Sequence, residues 1–137
     1  MTTEPPYQPG ERILSGSLFR RIPNWQNFYL PAAVPPRPTG FAFDPDRDEQ
    51  YTSMALASVT TPEEVLSDYP DFGLCVVRVE TFPNGVHATY EPEHGAGHVA
   101  VWGLKAGKGA ERLRRALALR AEVIRSPRLP LLSRRST

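Results

Sequence analysis

Proline is the strongest constraint on this chain. Nine of its 15 prolines fall within residues 1–45. Each removes a backbone donor and fixes φ, so neither a long helix nor a central strand survives that density. The first third must therefore be largely irregular. The stretch Ser17-Leu18-Phe19-Arg20-Arg21-Ile22 is free of proline and alternates in part, which predicts a short strand ending at Pro23. Asn24 to Leu30 carries Trp25, Phe28 and Tyr29 between two prolines. Three rings in so short a span predict a packed loop, because leaving them in water is costly. Pro35-Pro36-Arg37-Pro38 reads as an extended, polyproline-like piece.

The remainder is more regular. Phe41-Ala42-Phe43 reads as a short strand entering an acidic turn, and Tyr51–Val59 as a second strand. Thr61-Pro62-Glu63-Glu64 is a capping box, with Thr61 as N-cap and Pro62 at the first helical position. That helix is expected to stop near Tyr69-Pro70. Gly73–Phe82 is the strongest strand, with Leu74, Val76, Arg78 and Glu80 on one face and Cys75, Val77, Val79 and Thr81 on the other. Pro83-Asn84-Gly85-Val86 supplies a turn from which Val86–Tyr90 is expected to return antiparallel. His98–Leu104 is a further strand. Ala110–Arg125 is the one substantial helix, with Leu113, Leu117, Ala121 and Ile124 as its buried stripe. The chain has 137 residues, enough for one domain and one core. The expected fold is α+β: residues 1–16 an irregular arm, 17–125 a mostly antiparallel sheet of four to six strands with a long C-terminal helix, and 126–137 a basic tail.

Charge divides the chain. Residues 1–104 hold 6 Lys and Arg against 13 Asp and Glu, a net −7, whereas residues 105–137 hold 10 against 2, a net +8. A basic segment on an acidic body predicts either an acidic partner or a tail folded across its own body. The leading functional expectation is a non-enzymatic binding module in which Arg112, Arg115, Arg125, Arg128, Arg134 and Arg135 contact an acidic protein. Nucleic acid is the less favoured partner, because the aromatics at Trp25–Tyr29 lie far in sequence from the basic tail. Pro127 and Pro130 break any continuous amphipathic helix that would lie on a membrane. No apolar stretch approaches the ~18 residues of a membrane span, and the first residues lack the features of a secretory signal, so a cytoplasmic location is expected. The single Cys75 forms no internal disulfide.

Few residues carry chemistry on their own. His94 and His98 have a three-residue spacing, with Glu91 and Glu93 nearby, and are the weak metal candidates; two intervening glycines argue against the helix such a pair needs. Paired imidazoles are also an acid–base possibility. Gly103–Gly109 fails as a phosphate loop, having three residues between its glycines where four are needed and Gly109 after Lys108. No resident cofactor is expected on the leading reading. Arg20 and Arg21, adjacent in a strand, face opposite sides. One of them turns toward the core and needs a partner: Asp44, Asp46 or Glu80, or else a bound phosphate or carboxylate.

Two resemblances extend this reading. Leu18–Pro23, Ala42-Phe43-Asp44-Pro45, Thr60–Glu64, the strand from Gly73 to Val79, and Gly97–Gly103 together resemble a group of small bacterial proteins of unassigned activity. That group opens on Arg-Arg-Ile and proline and ends on a histidine-led strand, which implies a shared fold over residues 17–120. The order of an early strand arginine, then Tyr51-Thr52-Ser53, then Glu63 or Glu64 is similar to that of RES-type toxins, which resemble ADP-ribosyltransferases and consume NAD. This second resemblance implies an alternative, NAD-binding or NAD-consuming function. It would have Arg20 or Arg21 on a phosphate, Ser53 lining the pocket and Glu64 or Glu63 toward the ribose.

Overall fold

A computed structural model describes residues 7–30, 33–34, 36–45, 49–105 and 108–133. Among the described residues nine strands run in the order β1 (Arg12–Ile13), β2 (Ser17–Ile22), β3 (Tyr29–Leu30), β4 (Arg37–Pro38), β5 (Thr52–Leu56), β6 (Gly73–Arg78), β7 (His87–Tyr90), β8 (His98–Trp102) and β9 (Glu122–Arg125). Helix α1 spans Pro62–Val65 and α2 spans Lys108–Arg120. Seven strands form one antiparallel sheet ordered β1-β7-β8-β5-β2-β6-β9, while β3 and β4 pair separately. The α+β expectation holds, with one more strand in the main sheet than its upper bound. The N-terminal arm is tied in through β1, which pairs with β7 at the sheet edge.

Strand alternation decides the two faces. Leu18, Met54, Leu56, Cys75, Val77, Ala88, Val99 and Val101 are buried on one face in the main core. Helix α2 closes that core with Leu117 and Ala118, and Ala121 just beyond its end joins them. The other face carries a smaller cluster of Phe19, Leu66 and Leu74, with Phe72 and Val76 packed on it. That cluster lies over β2 and β6 and reaches Ala55 on β5.

Local expectations fare unevenly. Thr61 Oγ1 accepts from the Glu64 N–H at 3.2 Å, as the capping box requires. The helix it starts ends at Val65, short of Tyr69-Pro70. Trp25 stacks on Phe28 with centroids 5.5 Å apart, and Tyr29 is buried, so the proline-bounded aromatic loop is packed. Phe41-Ala42-Phe43 belongs to a 3-10 turn, Gly40–Phe43, and forms no strand. The buried Thr52 hydroxyl of the sheet donates to Phe43 O of this turn at 2.7 Å. The strand from Gly73 gives way after Arg78 to a 3-10 turn at Val79–Thr81.

Two corrections are larger. β7 does not return along β6, because both edges of β6 are taken by β2 and β9. The Asn84-Gly85 turn forms, with Gly85 at φ 96 and Val86 N–H on Pro83 O, yet it delivers β7 to β8 at the far side of the sheet. The long helix also ends at Arg120 rather than Arg125. Arg37 Nη2 takes the Ala118 carbonyl at 2.9 Å and closes its C-terminus. Glu122, Val123 and Arg125 then pair with Val76, Cys75 and Leu74 along the open edge of β6, leaving Ile124 at the register shift, exposed rather than in a helical stripe.

A cleft at a fork in the sheet

β2 and β5 pair at only two positions, Leu18 with Leu56 and Phe19 with Ala55. Beyond Phe19, β2 stays on β6 as far as Ile22, while β5 stays on β8 back to Thr52. The central ladder therefore opens like a fork. Unladdered carbonyls in its crotch need donors, and Arg20 supplies them. From the core face its guanidinium donates to Ala42 O and to Ser53 O, each at 2.9 Å, with Asp44 O at 3.5 Å. Among the described residues the partners of the inward arginine therefore include a set of backbone carbonyls. Of the acids named for it, Asp44 contributes its main chain, Glu80 lies at Arg78 and the Gly16 N–H, and Asp46 falls outside the described residues.

A cleft of about 1000 Å³ runs through this fork. Arg20, Arg21, Ser53 and Glu64 all border it, together with Tyr51, Glu49 and His98. Trp25 and Phe28 of the aromatic loop form one wall. Arg21 is exposed at the rim, with its guanidinium carbon 4.0 Å from the centre of the Tyr69 ring and one N–H on Val65 O. Glu64 is also exposed at the rim, its carboxylate accepting from the Thr60 hydroxyl at 3.3 Å.

The floor follows from register. Ser53 pairs with Ala100, and Ala55 with His98, so these four share the outer face. His98 is then the diagonal neighbour of Ser53, a separation that long side chains span. His98 Nε2 lies 3.1 Å from Ser53 Oγ, and Ser53 Oγ donates to Glu49 Oε2 at 3.3 Å. Tyr51 packs against His98, His94 and Trp102 with centroid distances of 5.9, 5.9 and 5.2 Å. His98 Nδ1 is buried without a hydrogen-bond partner among the described residues. Burial holds His98 below the usual imidazole range, and the neighbouring His94 adds to this; Glu93 and the Glu91 backbone pull the other way. Burial and then Arg12 lower His87 similarly.

These two histidines set a pH dependence. Each binds its proton more weakly folded than unfolded, so the unfolded chain takes up more protons below about pH 6.5. Their contribution is complete above that pH and is lost as pH falls toward the folded values. Thermal melts should show stability declining from pH 7.5 to 5.5, and His98→Gln should flatten that decline. An unaltered slope in the variant excludes His98 as a cause.

Comparison with protein-family models, curated proteins and solved structures finds no match to this chain.

His94 and His98 have rings 5.2 Å apart, but no group of three metal-ligating side chains exists among the described residues. Cys75 is fully buried and its thiol is pushed up to about 12, mainly by burial, so it is no nucleophile. No helix among the described residues is long and apolar enough to cross a membrane.

The basic segment folds back on its own body for part of its length. Arg125 pairs with Glu63, and Arg128 Nη1 lies 3.3 Å from Asp71 Oδ1. Arg115 pairs with Glu111 on its own helix, and Arg112 is exposed. Arg134 and Arg135 lie outside the described residues. Residues 126–132 form a strap: Arg128 N–H donates to Asp71 O, Leu132 N–H to Asn24 O, and Gln26 N–H to Leu132 O, at 2.8–2.9 Å. The last two hold the loop bearing Trp25. Deleting residues 126–137 should therefore cost roughly 2–3 kcal/mol, at about 1 kcal/mol per hydrogen bond, and shift tryptophan emission to the red as Trp25 is wetted. Unchanged emission and melting temperature would show that the strap holds nothing.

Glu49 and the Ser53–His98 contact were not foreseeable residue by residue. They arise from the β5–β8 register, which pairs segments over 40 positions apart.

Proposed function

We propose that the fork cleft binds a nucleotide of the NAD class. The single observation behind this reading is convergence: Arg20, Arg21, Ser53 and Glu64, which the resemblance to RES-type proteins marks, border one cleft. The cleft's dimensions and mixed lining suit a ligand with rings and phosphates. Arg21 is the phosphate hand, because it stands at the rim with one N–H used on Val65 O. Arg20 keeps the fork open and serves the ligand indirectly. Tyr51, Trp25 and Phe28 line the cleft and give it an aromatic wall against which a base can pack. Glu64 at the rim suits a ribose hydroxyl.

The test is thermal stabilisation by NAD, with ADP-ribose and nicotinamide separately. Ligand at 100 times its dissociation constant should add about 2.7 kcal/mol of stability. Arg21→Ala should remove most of that gain without lowering the melting temperature of the free protein by more than a few degrees. No shift with millimolar NAD or ADP-ribose overturns the reading.

The tail reading keeps one specific support. Arg112, Arg115 and Arg120 are exposed on α2 beside Leu119, which is 82% exposed. A basic face with an apolar centre suits an acidic protein partner. Capture that persists after charge reversal of all three arginines would remove this support.

A further inference from the structure

We infer that the apolar surface shared by the β3–β4 pair and the C-terminal strap docks on an anionic lipid bilayer. This stands apart from the NAD reading. Residues 30–36 hold no polar or charged side chain, and neither do residues 129–132. The fold sets the described residues of these two runs side by side. A groove of about 570 Å³ lies between them, with Val34 and Pro36 on one side and Leu129, Pro130 and Leu131 on the other. Leu30, Leu129 and Leu132 are exposed, and Val34 is 96% exposed. Arg37 of β4 donates to Ala118 O and Leu119 O, which sets the exposed Leu119 of α2 beside the same pair. Contiguous exposed apolar surface of this kind marks a contact site.

The residue types select the partner. Protein interfaces draw most of their binding energy from Trp, Tyr and Arg anchors, with Leu and Val under-represented. Among the described residues the groove and its exposed rim hold no aromatic ring and no methionine. Gln26 is the one polar side chain that lines the groove. Val34 stands out from the fold, which fits a fluid apolar phase better than a shaped socket. Pro127 and Pro130 exclude an amphipathic helix here, but hairpin and strap build an apolar face without one. The backbone is also prepared, since an unpaired N–H is costly at the edge of hydrocarbon. Pro36 and Pro130 have no N–H to bury. Ala33 N–H donates to Leu30 O at 3.3 Å, and Leu132 N–H to Asn24 O at 2.8 Å.

Charge decides which lipid. Residues 28–38 and 117–133 hold four arginines, Arg37, Arg120, Arg125 and Arg128, against one acid, Glu122. Arg125 and Arg128 pair with Glu63 and Asp71, but both pairs are solvent-exposed and therefore weak, so a dense layer of lipid phosphates competes for them. Each arginine near an anionic surface raises partitioning roughly fivefold.

The experiment co-sediments the full chain with vesicles of phosphatidylcholine alone and of phosphatidylcholine with phosphatidylglycerol at about 3:1, at low and high salt. Binding to the mixed vesicles that falls about tenfold in Val34→Asp, about fivefold in Arg120→Gln, and further with salt, supports the inference. Val34 is too exposed for its substitution to disturb the core, which circular dichroism and melting temperature verify. Leu129→Asp carries the same expectation. No sedimentation at millimolar lipid overturns the inference. So does undiminished sedimentation of Val34→Asp, which would leave the basic face of α2 as the contact. Equal, salt-insensitive binding to pure phosphatidylcholine overturns it too, because the arginines then play no part. Light scattering and a polyglutamate titration cover the other occupants. A dimer that Val34→Asp dissolves assigns the patch to a second copy, and polyglutamate binding lost in Val34→Asp, without vesicle binding, assigns it to an acidic protein; either result overturns the inference.

Discussion

Arg20→Met should destabilise the protein by about 2–3 kcal/mol and abolish ligand binding, although Arg20 is not the residue expected to hold the ligand. Methionine keeps much of the apolar stem, so the loss isolates the guanidinium. That group donates to Ala42 O and Ser53 O at 2.9 Å. Removing it strands two carbonyls at the crotch of the fork, and hydrogen bonds to a charged donor are worth ~1.5–3 kcal/mol. At this chain length the change lowers the melting temperature by roughly 10 °C. The binding loss follows from geometry. Without the clamp, β5 is free to zip further along β2, which would close the cleft and turn Ser53 away from His98. Arg20→Lys should recover part of the stability and little of the binding, because one ammonium cannot span both carbonyls in the fixed fork of a guanidinium. A variant with normal melting and normal NAD affinity would show that the fork stays open without Arg20.

How much of this was legible in the sequence depends on whether the cause is local. The capping box at Thr61–Glu64 and the alternation of Gly73–Arg78 are local, and both are present as read. So is the pull of an inward arginine toward a partner. The fate of Glu122–Arg125 is not local. A helical stripe continues through Ile124 on spacing alone, but the free edge of β6 outbids the helix once Arg37 has closed it at Ala118. The hairpin after Gly85 fails for the same kind of reason. The turn is correct, and the vacancy beside β6 is already filled by β9. The cleft falls between these cases. Arg20, Arg21, Ser53 and Glu64 are brought together as a set only by the resemblance to RES-type toxins. The fork that brings them together depends on where two ladders part, and no residue pattern announces that point. His98 is the clearest instance: the sequence places it at the start of a strand, as found, but only its pairing opposite Ala55 puts it on Ser53.

Gly73→Ala should cost about as much as a large core truncation, near 3 kcal/mol, with a single methyl added. Gly73 pairs with Ile22 at the end of β2. A Cβ there would run into the Tyr29 hydroxyl and press on its ring carbon at 3.2 Å. Tyr29 cannot give way cheaply, since its ring is buried and its hydroxyl donates to Ile22 O at 3.1 Å. Moving the ring breaks that bond and opens the packing between the aromatic loop and the sheet, the same loop that walls the cleft with Trp25 and Phe28. Tyr29→Phe separates the two causes. Alone it should cost about 1 kcal/mol for the lost hydrogen bond. Combined with Gly73→Ala it removes the hydroxyl that the new methyl would strike, so the double variant should be less destabilised than the sum of the singles by 1 kcal/mol or more. Denaturant melts of all four proteins read this coupling directly. Strict additivity would mean that the Gly73 cost comes from the Arg125 backbone across β9, whose carbonyl lies 3.3 Å from the same Cβ, and not from Tyr29.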